Sequence, residues 1–320
     1  MKPQLVMVHG IGSRRDTDTE QGAWLDALAA GLRAAERDGE AAALLRGALA
    51  DVRFANYSDL FDRPGAQGEP ADALDDADAP FLADLLGSLL DGLDEQFPAG
   101  EYDPDSAERE ALDDARFRVE AVLSGRQAQG AGEPVRVLVG AATSILSLPV
   151  LRKGAQWMSG RAFLFQLAQV GRYLDRSRGG ALGQAVRERI LDGTDPDRPL
   201  VVVSHSLGTV VAYEALHEHP GPVPLWVTLG SPLALGAVVL DRLVPRPAQC
   251  PETVGAWRNY WDRDDIVVGR PELAKWVAPS STGVAAVTAP VTSSGLWVHT
   301  ATKYLEHRTV AEPVAEALRP

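Results

Sequence analysis

Sulfur chemistry is almost absent from this chain. Of its 320 residues one is a cysteine, Cys250, which excludes an internal disulfide and a four-thiolate metal site and favours a reducing, cytoplasmic setting. Lysine is nearly as scarce, confined to Lys2, Lys153, Lys275 and Lys303, a usage that with abundant Arg and Ala fits a GC-rich bacterial gene. Positive charge is in deficit. Lys and Arg number 31 against 44 Asp and Glu, a net charge of −13, and a chain of that sign is a poor partner for nucleic acid. Long apolar runs are missing too. One uncharged apolar run, Val137–Leu151, has fifteen residues and contains Ser, Thr and Pro149. A bilayer helix needs about 20 apolar residues, so no transmembrane segment is expected. Leu5-Val6-Met7-Val8 runs straight into His9-Gly10 and is too short for a signal-peptide core. No repeat of fixed period is visible.

What remains is ordinary globular material: 45% hydrophobic and 23% charged residues exclude disorder as the global state. The acidity is local. Residues 59–114 hold eighteen Asp or Glu against Arg63 and Arg109, a balance of −16, so the rest of the chain carries +3.

Short β-rich runs occur at Leu5–Val8, Val52–Tyr57, Leu200–Val203, Leu225–Leu229 and Ala256–Trp261, with a short sixth element at Gly295–Val298. Leu200–Val203 is apolar without alternation, as in a strand covered on both faces. Helical patterns separate the runs: Trp24, Leu25, Leu28 and Leu32 share one face, and Leu207–His217 follows the third run without a gap. Strand, helix, strand repetition predicts an α/β fold with a mostly parallel sheet flanked by helices.

The distance from His9 to Ser206 exceeds simple alternation, so a mainly helical insertion is expected over residues 59–160, between core segments 1–58 and 161–320. Asp62–Pro80 reads as an exposed loop. Phe81, Leu82, Leu85, Leu86, Leu89, Leu90, Leu93 and Phe97 form one stripe of an amphipathic helix. It either closes over a substrate or packs on the core, and ordinary packing is the favoured reading. A second helix is expected to be capped by Asp105 and to end near Gly125, and a third covers Val137–Leu148. The Val137–Leu151 stretch is the better candidate for an apolar pocket wall or a membrane-surface contact. Two more helices are expected around Phe163–Leu174 and at Ala181–Leu191.

The sharpest signal is Val201-Val202-Val203-Ser204-His205-Ser206-Leu207-Gly208-Thr209. An apolar strand becomes a helix within very few residues, with Ser206 at the turn and small residues two positions away on each side. Such a turn presents the serine oxygen at the carboxyl end of a parallel strand, and the next backbone N–H heads a helix. Ser206 is therefore expected to be a nucleophile; the bland reading is a helix N-cap. Ser204 stands where the usual pattern has glycine. A second signal is Leu5-Val6-Met7-Val8-His9-Gly10-Ile11-Gly12. A Gly-rich turn after a strand can supply an oxyanion-binding N–H, here at Ile11 beside Gly10, with Leu207 supplying the other. His9 and Gly12 are candidates for lining the site. No Lys follows the turn and G-x-G-x-x-G is absent, which argues against a nucleotide loop.

On these residues the chain resembles α/β-hydrolases of the lipase and esterase type, close to bacterial relatives that open with Val-His-Gly-Ile-Gly. The resemblance covers a minor fraction of the chain. It implies an α/β-hydrolase fold, a triad in the order Ser, acid, His, no metal and no organic cofactor, and an insertion serving as lid or cap. The acid is sought in Asn259-Tyr260-Trp261-Asp262-Arg263-Asp264-Asp265-Ile266-Val267. An acid directly before Ile-Val selects Asp265, an acid with one spacer selects Asp264, and Asp262 is closest to the strand end; Asp265 is the choice, with Asp262 and Asp264 as alternatives. Of six histidines, His299 matches the family's base, since it follows Leu296-Trp297-Val298 and precedes a helix-like run through Tyr304. His205 is expected to point away from Ser206, and His217 and His219 to be dipole-favoured at a helix C-terminus. Ser231, in Leu229-Gly230-Ser231-Pro232, is a candidate for lining the site mouth, although a structural turn is the better reading.

The implied activity is hydrolysis of small-molecule or acyl esters. The rivals are a non-catalytic scaffold that binds a partner through the acidic insertion, and a peptidase or acyltransferase on the same machinery.

Overall fold

The computed structural model describes residues 1–10, 16–61, 74–96, 107–125, 132–148, 159–176, 180–265, 267–293 and 298–319. Six strands form one sheet: β1 (Gln4–Val8), β2 (Asp51–Ala55), β3 (Leu200–His205), β4 (Leu225–Leu229), β5 (Trp257–Asp262) and β6 (Ala286–Val291). Their order is β2-β1-β3-β4-β5-β6, and all five pairings are parallel. The architecture is thus α/β, a parallel sheet flanked by helices. In the centre, β1, β3 and β4 are buried along their whole length, which is why they read as unbroken apolar runs.

The sequence reading of the sixth element needs correction. The edge strand is Ala286–Val291, ahead of the expected Gly295–Val298; residues 295–297 lie outside the described residues and Val298 is not in a strand. Strand β6 carries Pro290, paired to Trp261, and half of its face is exposed. Proline lacks a ladder donor and is tolerated at a sheet edge, but it hides the strand from pattern reading.

Eleven α-helices occur among the described residues: α1 (Thr17–Ala34), α2 (Asp38–Leu45), α3 (Ala79–Gln96), α4 (Ala107–Leu123), α5 (Glu133–Leu146), α6 (Gly160–Leu174), α7 (Ala181–Leu191), α8 (Leu207–Glu218), α9 (Gly236–Val239), α10 (Ala301–Leu305) and α11 (Arg308–Ala317). Helix α1 starts where Asp16 accepts the Thr19 N–H at 2.9 Å, an N-cap placed before a first turn rich in acids. The Asp105 cap expected for α4 lies outside the described residues.

Side chains alternate across the sheet, so it separates two cores. Leu5, Met7, Val201 and Val203 pack with Trp24, Leu28 and Leu32 of α1, Leu44 of α2, Tyr304 of α10 and Val310 of α11. Val6, Val8 and Val202 point the other way, into a larger cluster. The α3 stripe belongs to that cluster: Leu82, Leu86, Leu89 and Leu90 are fully buried in it. So do Leu138, Ala141, Ala142 and Ile145 of α5. The apolar face of α5 is therefore interior packing and lines no cavity at the site, contrary to the pocket-wall expectation; residues 149–151 lie outside the described residues. Helix α8 is buried from Leu207 to Leu216, as expected of a helix that is apolar nearly all round.

Buried polar groups knit this larger core. Glu214 of α8, 2% exposed, accepts from Tyr173 Oη at 2.7 Å, from Val244 N at 3.0 Å and from Arg187 Nη1 at 3.4 Å, with Arg176 as a further partner. One carboxylate thereby ties α6, α7, α8 and the loop after α9. The indoles of Trp226 and Trp257 stack at 4.2 Å.

Candidate active site

The strand order reverses at β1: β2 lies on one side of it and β3 on the other. In open parallel sheets such a switch point leaves a crevice at the carboxyl ends of the strands, where ligands bind. His9 and Gly10 follow β1 and Ser206 follows β3.

Ser206 has φ +54° and ψ −129°, a sparsely populated backbone region for any residue with a side chain, costing about 1–3 kcal/mol. The surroundings fix it there. Its N–H donates to Leu229 O at 3.0 Å, and its carbonyl accepts from Thr209 N at 2.9 Å and from Thr209 Oγ1 at 2.8 Å. Two residues on, a β-carbon at Gly208 would lie 2.4 Å from the carbonyl oxygens of both Val8 and His9; only glycine lets α8 start so close to the end of β1. Gly10 sits directly on Ser206, where a β-carbon would come within 2.6 Å of Ser206 Cβ. Ser204 does more than stay small. Its hydroxyl donates to Val227 O at 3.0 Å and accepts from Trp226 Nε1 at 2.9 Å, which satisfies a polar group inside the sheet.

His299 precedes α10 and is 5% exposed. Its Nε2 lies 2.9 Å from Ser206 Oγ and its Nδ1 lies 2.7 Å from Asp265 Oδ2. Asp265 comes from the turn after β5, where its N–H donates to Asp262 O at 3.0 Å. Its other oxygen, Oδ1, accepts from Val267 N at 3.1 Å. The three side chains come from widely separated chain segments and meet in one buried row; Ser206 and Asp265 are 1% and 2% exposed. A carboxylate on Nδ1 calls for a proton there, which leaves Nε2 bare and facing the serine hydroxyl.

The neighbouring Asp262 does other work. Asp262 Oδ2 accepts from Ser293 N at 2.6 Å and Oδ1 from Asp264 N at 3.0 Å, so this carboxylate shapes the turn. Tyr304, which no sequence motif singled out, donates its hydroxyl to Asp265 Oδ2 at 2.6 Å. Burial, reinforced by the charge of Asp265, pushes the Tyr304 phenol well above its ordinary value and keeps it a donor. The signal available in the sequence was only a polar-tipped aromatic in the helix-like run after His299.

His205 does not point away as expected. Its ring centroid lies 4.6 Å from that of His299. The strand ends at His205 and the sharp turn at Ser206 brings the adjacent side chain beside the same imidazole. His9 is buried, stacked on Tyr57 at 4.0 Å, with Nε2 accepting from Tyr57 N at 3.2 Å and Nδ1 donating to Gly10 O at 2.5 Å. This imidazole anchors the loop after β1 to the end of β2 while bordering the cavity. Ile11 and Gly12 lie outside the described residues. Leu207 opens α8, so its N–H belongs to the first turn, whose donors lack intrahelical partners. Ser231 is not a lining residue: its hydroxyl is 2.8 Å from Thr209 Oγ1 and accepts from Leu233 N at 3.3 Å, which ties the turn after β4 to α8.

A cavity of about 310 Å³ opens onto Ser206 and His299. Besides those two and the residues after β1, it is bordered by Glu20, Ala23 and Trp24 of α1, Gln166 of α6, His205, and Thr300, Ala301 and Thr302 around the start of α10.

His217 and His219 end α8, as the sequence suggested, and burial pushes both below the ordinary histidine value. Among the described residues no group of three or more His, Cys, Asp or Glu is arranged to hold a metal ion, and no helix is long and apolar enough to cross a membrane.

Comparison of the chain with models of protein families, with curated proteins and with solved structures returns no match.

Proposed function

We propose that this protein is a serine hydrolase of carboxylic esters that works through an acyl-enzyme. The observation that carries the reading is the single imidazole of His299, with Nε2 2.9 Å from Ser206 Oγ and Nδ1 2.7 Å from Asp265 Oδ2. Hydrogen-bond contact of a hydroxyl with a base that is itself oriented by a carboxylate is what an activated serine requires.

In this reading Ser206 Oγ attacks the ester carbonyl carbon while its proton passes to His299 Nε2. The carbonyl π pair moves onto oxygen, and the oxyanion is stabilised by the Leu207 N–H at the head of α8, with the Ile11 N–H as the expected second donor. Asp265 stabilises the imidazolium without taking its proton. Collapse of the tetrahedral intermediate expels the alcohol oxygen, which takes the proton from Nε2. Water then repeats the sequence on the acyl-enzyme: His299 accepts a water proton, hydroxide adds to the acyl carbon, and Ser206 leaves with the proton returned.

The fold reading that goes with this is an α/β-hydrolase core, residues 1–58 and 161–320, with an acidic helical insertion at 59–160. It is supported by the strand order and by the position of the serine after β3, of the acid after β5 and of the histidine ahead of α10. The favoured substrate is a soluble ester rather than a long-chain lipid. Among the described residues the cavity has no Leu, Ile, Val, Phe or Met on its wall, whereas Gln166, His205, Thr300 and Thr302 offer polar contacts. The cytoplasm is the proposed setting, on the single buried thiol of Cys250.

The test is labelling by a fluorophosphonate probe together with turnover of a p-nitrophenyl ester series. Ser206→Ala is expected to abolish labelling and to lower turnover by about a millionfold, and short acyl chains are expected to outrun long ones. Labelling that persists in Ser206→Ala would remove the assignment.

A further inference from the structure

We propose that Tyr304 is a positioning residue of the Ser206–His299–Asp265 row, which sets, through Asp265, how firmly His299 holds the proton it takes from serine. The proposal rests on the serine-hydrolase reading for its functional meaning, although its physical content does not need turnover.

The argument starts from one oxygen. Asp265 Oδ2 accepts both the His299 Nδ1–H at 2.7 Å and the Tyr304 hydroxyl at 2.6 Å. The Tyr304 oxygen in turn accepts from Asp262 N at 3.2 Å, so the phenol is held in direction by the backbone at the end of β5. Asp265 Oδ1 is occupied by Val267 N. Gly230 closes the assembly: a β-carbon there would lie 2.6 Å from Asp265 Oδ2, 3.2 Å from His299 Nδ1 and 3.3 Å from the Tyr304 hydroxyl. Two donors converging on one oxygen, under a bare α-carbon, leave the carboxylate little freedom to rotate.

The chemical consequence follows from sharing. A hydrogen bond from a neutral donor draws part of the negative charge of the carboxylate toward itself. An imidazolium at His299 is then stabilised less than it would be by a carboxylate serving it alone. The base takes the serine proton readily, because its tautomer is fixed, and gives it up readily to the leaving group, because its counter-charge is shared. A merely space-filling Tyr304 would lack this effect, since phenylalanine fills the same volume.

Other polar and ionisable groups face the same imidazole. Among them are Ser206 and His205, at the end of β3 with its ring 4.6 Å away, while Glu20 of α1 and His9 border the same cavity; Asp262 N–H donates to Tyr304. Tyr304→Phe removes the bond to Asp265 and leaves those side chains in place.

The experiment compares wild type with Tyr304→Phe by two readouts. One is the rate of fluorophosphonate labelling of Ser206 from about pH 5 to 9; the other is the imidazole NMR titration of His299 in unreacted protein. Both midpoints are expected to move to higher pH by about half a unit or more in the variant, with the limiting labelling rate lowered by less than about tenfold. Unchanged midpoints in a folded variant overturn the proposal. If phenylalanine prevents folding, because it strips Asp262 N–H of its acceptor, 3-fluorotyrosine at position 304 replaces it. That phenol is a stronger donor and should move the NMR midpoint to lower pH; no movement again overturns the proposal. Failure of wild type to label at Ser206 removes the hydrolase reading, while the NMR comparison still decides the role of Tyr304.

Discussion

Gly230 and Asp265 touch so closely that a β-carbon on the glycine would stand 2.6 Å from the carboxylate oxygen. Gly230 also has φ +54°, in the left-handed region that costs a side chain about 1–2 kcal/mol. Gly230→Ala is therefore expected to push Asp265 off His299. Ester turnover should fall by at least about a hundredfold, while thermal melting shows that the protein stays folded. Equal activity in a folded Gly230→Ala protein would show that the contact is slack.

The three acids of the turn separate by substitution. Asp265→Asn is expected to lower turnover by about ten-thousandfold, since an amide oriented toward Nδ1 selects the wrong tautomer. Asp262→Asn removes half of an acceptor pair that holds Ser293 N and Asp264 N, so its main effect should be on stability, about 1–3 kcal/mol by chemical denaturation. Asp264→Asn should leave turnover within about tenfold of wild type. Denaturant melts and ester kinetics on the three variants give the ranking.

Glu214 offers a stability test away from the site. Glu214→Ala leaves Tyr173 Oη and Val244 N without their acceptor and Arg187 with Glu218 as its remaining carboxylate, and breaking a buried pair by removing one partner costs about 3–5 kcal/mol. A shift in the urea midpoint is the measurement. A loss below about 1 kcal/mol would mean that the arginines turn out to solvent at little cost.

His217 and His219 predict the acid side of the stability profile. Burial lowers both below the ordinary value of 6.5. The unfolded chain takes up protons from about that pH downward, whereas the folded protein does so only at lower pH. The stability conferred by keeping them neutral is complete above the unfolded value and drains away as pH falls toward the folded one. The melting temperature should therefore drop as pH falls through about 6.5, and His219→Gln should flatten that drop. An unchanged slope in the variant would shift the effect to other groups.

Much of this architecture is legible in residue patterns because the central strands and α8 are buried on all sides. Leu200–Val203 and Leu225–Leu229 need no alternation to be read as strands, and Ala181–Leu191 is bounded by its own stop signals. The positions of Ser206 and His299 are legible for a related reason, since each stands where a regular element begins. Pattern fails where burial is one-sided or where a contact joins distant segments. The edge strand β6 hides behind Pro290 and a half-exposed face. Spacing favours Asp265 but leaves Asp262 and Asp264 as alternatives, because the choice depends on which carboxylate Val267 N and Tyr304 hold against His299. His205 departs from its expected direction because strand alternation does not extend through the sharp turn at Ser206. The hydroxyl of Ser231 was unreadable for want of its partner on α8, Thr209.

The strand order also has a consequence for biosynthesis. Strand β1 is an interior one, translated long before one of its two neighbours, with Met7 facing Phe54 on one side and Val203 on the other. Its first neighbour is made soon afterwards; the second arrives only once Leu200–His205 has been translated. Throughout that interval an apolar strand presents unpaired backbone groups to any other incomplete copy nearby. Aggregation of nascent chains therefore competes with folding at this point, and co-expression with a holdase chaperone is expected to raise the yield of folded protein more than slower unfolding of the finished molecule would.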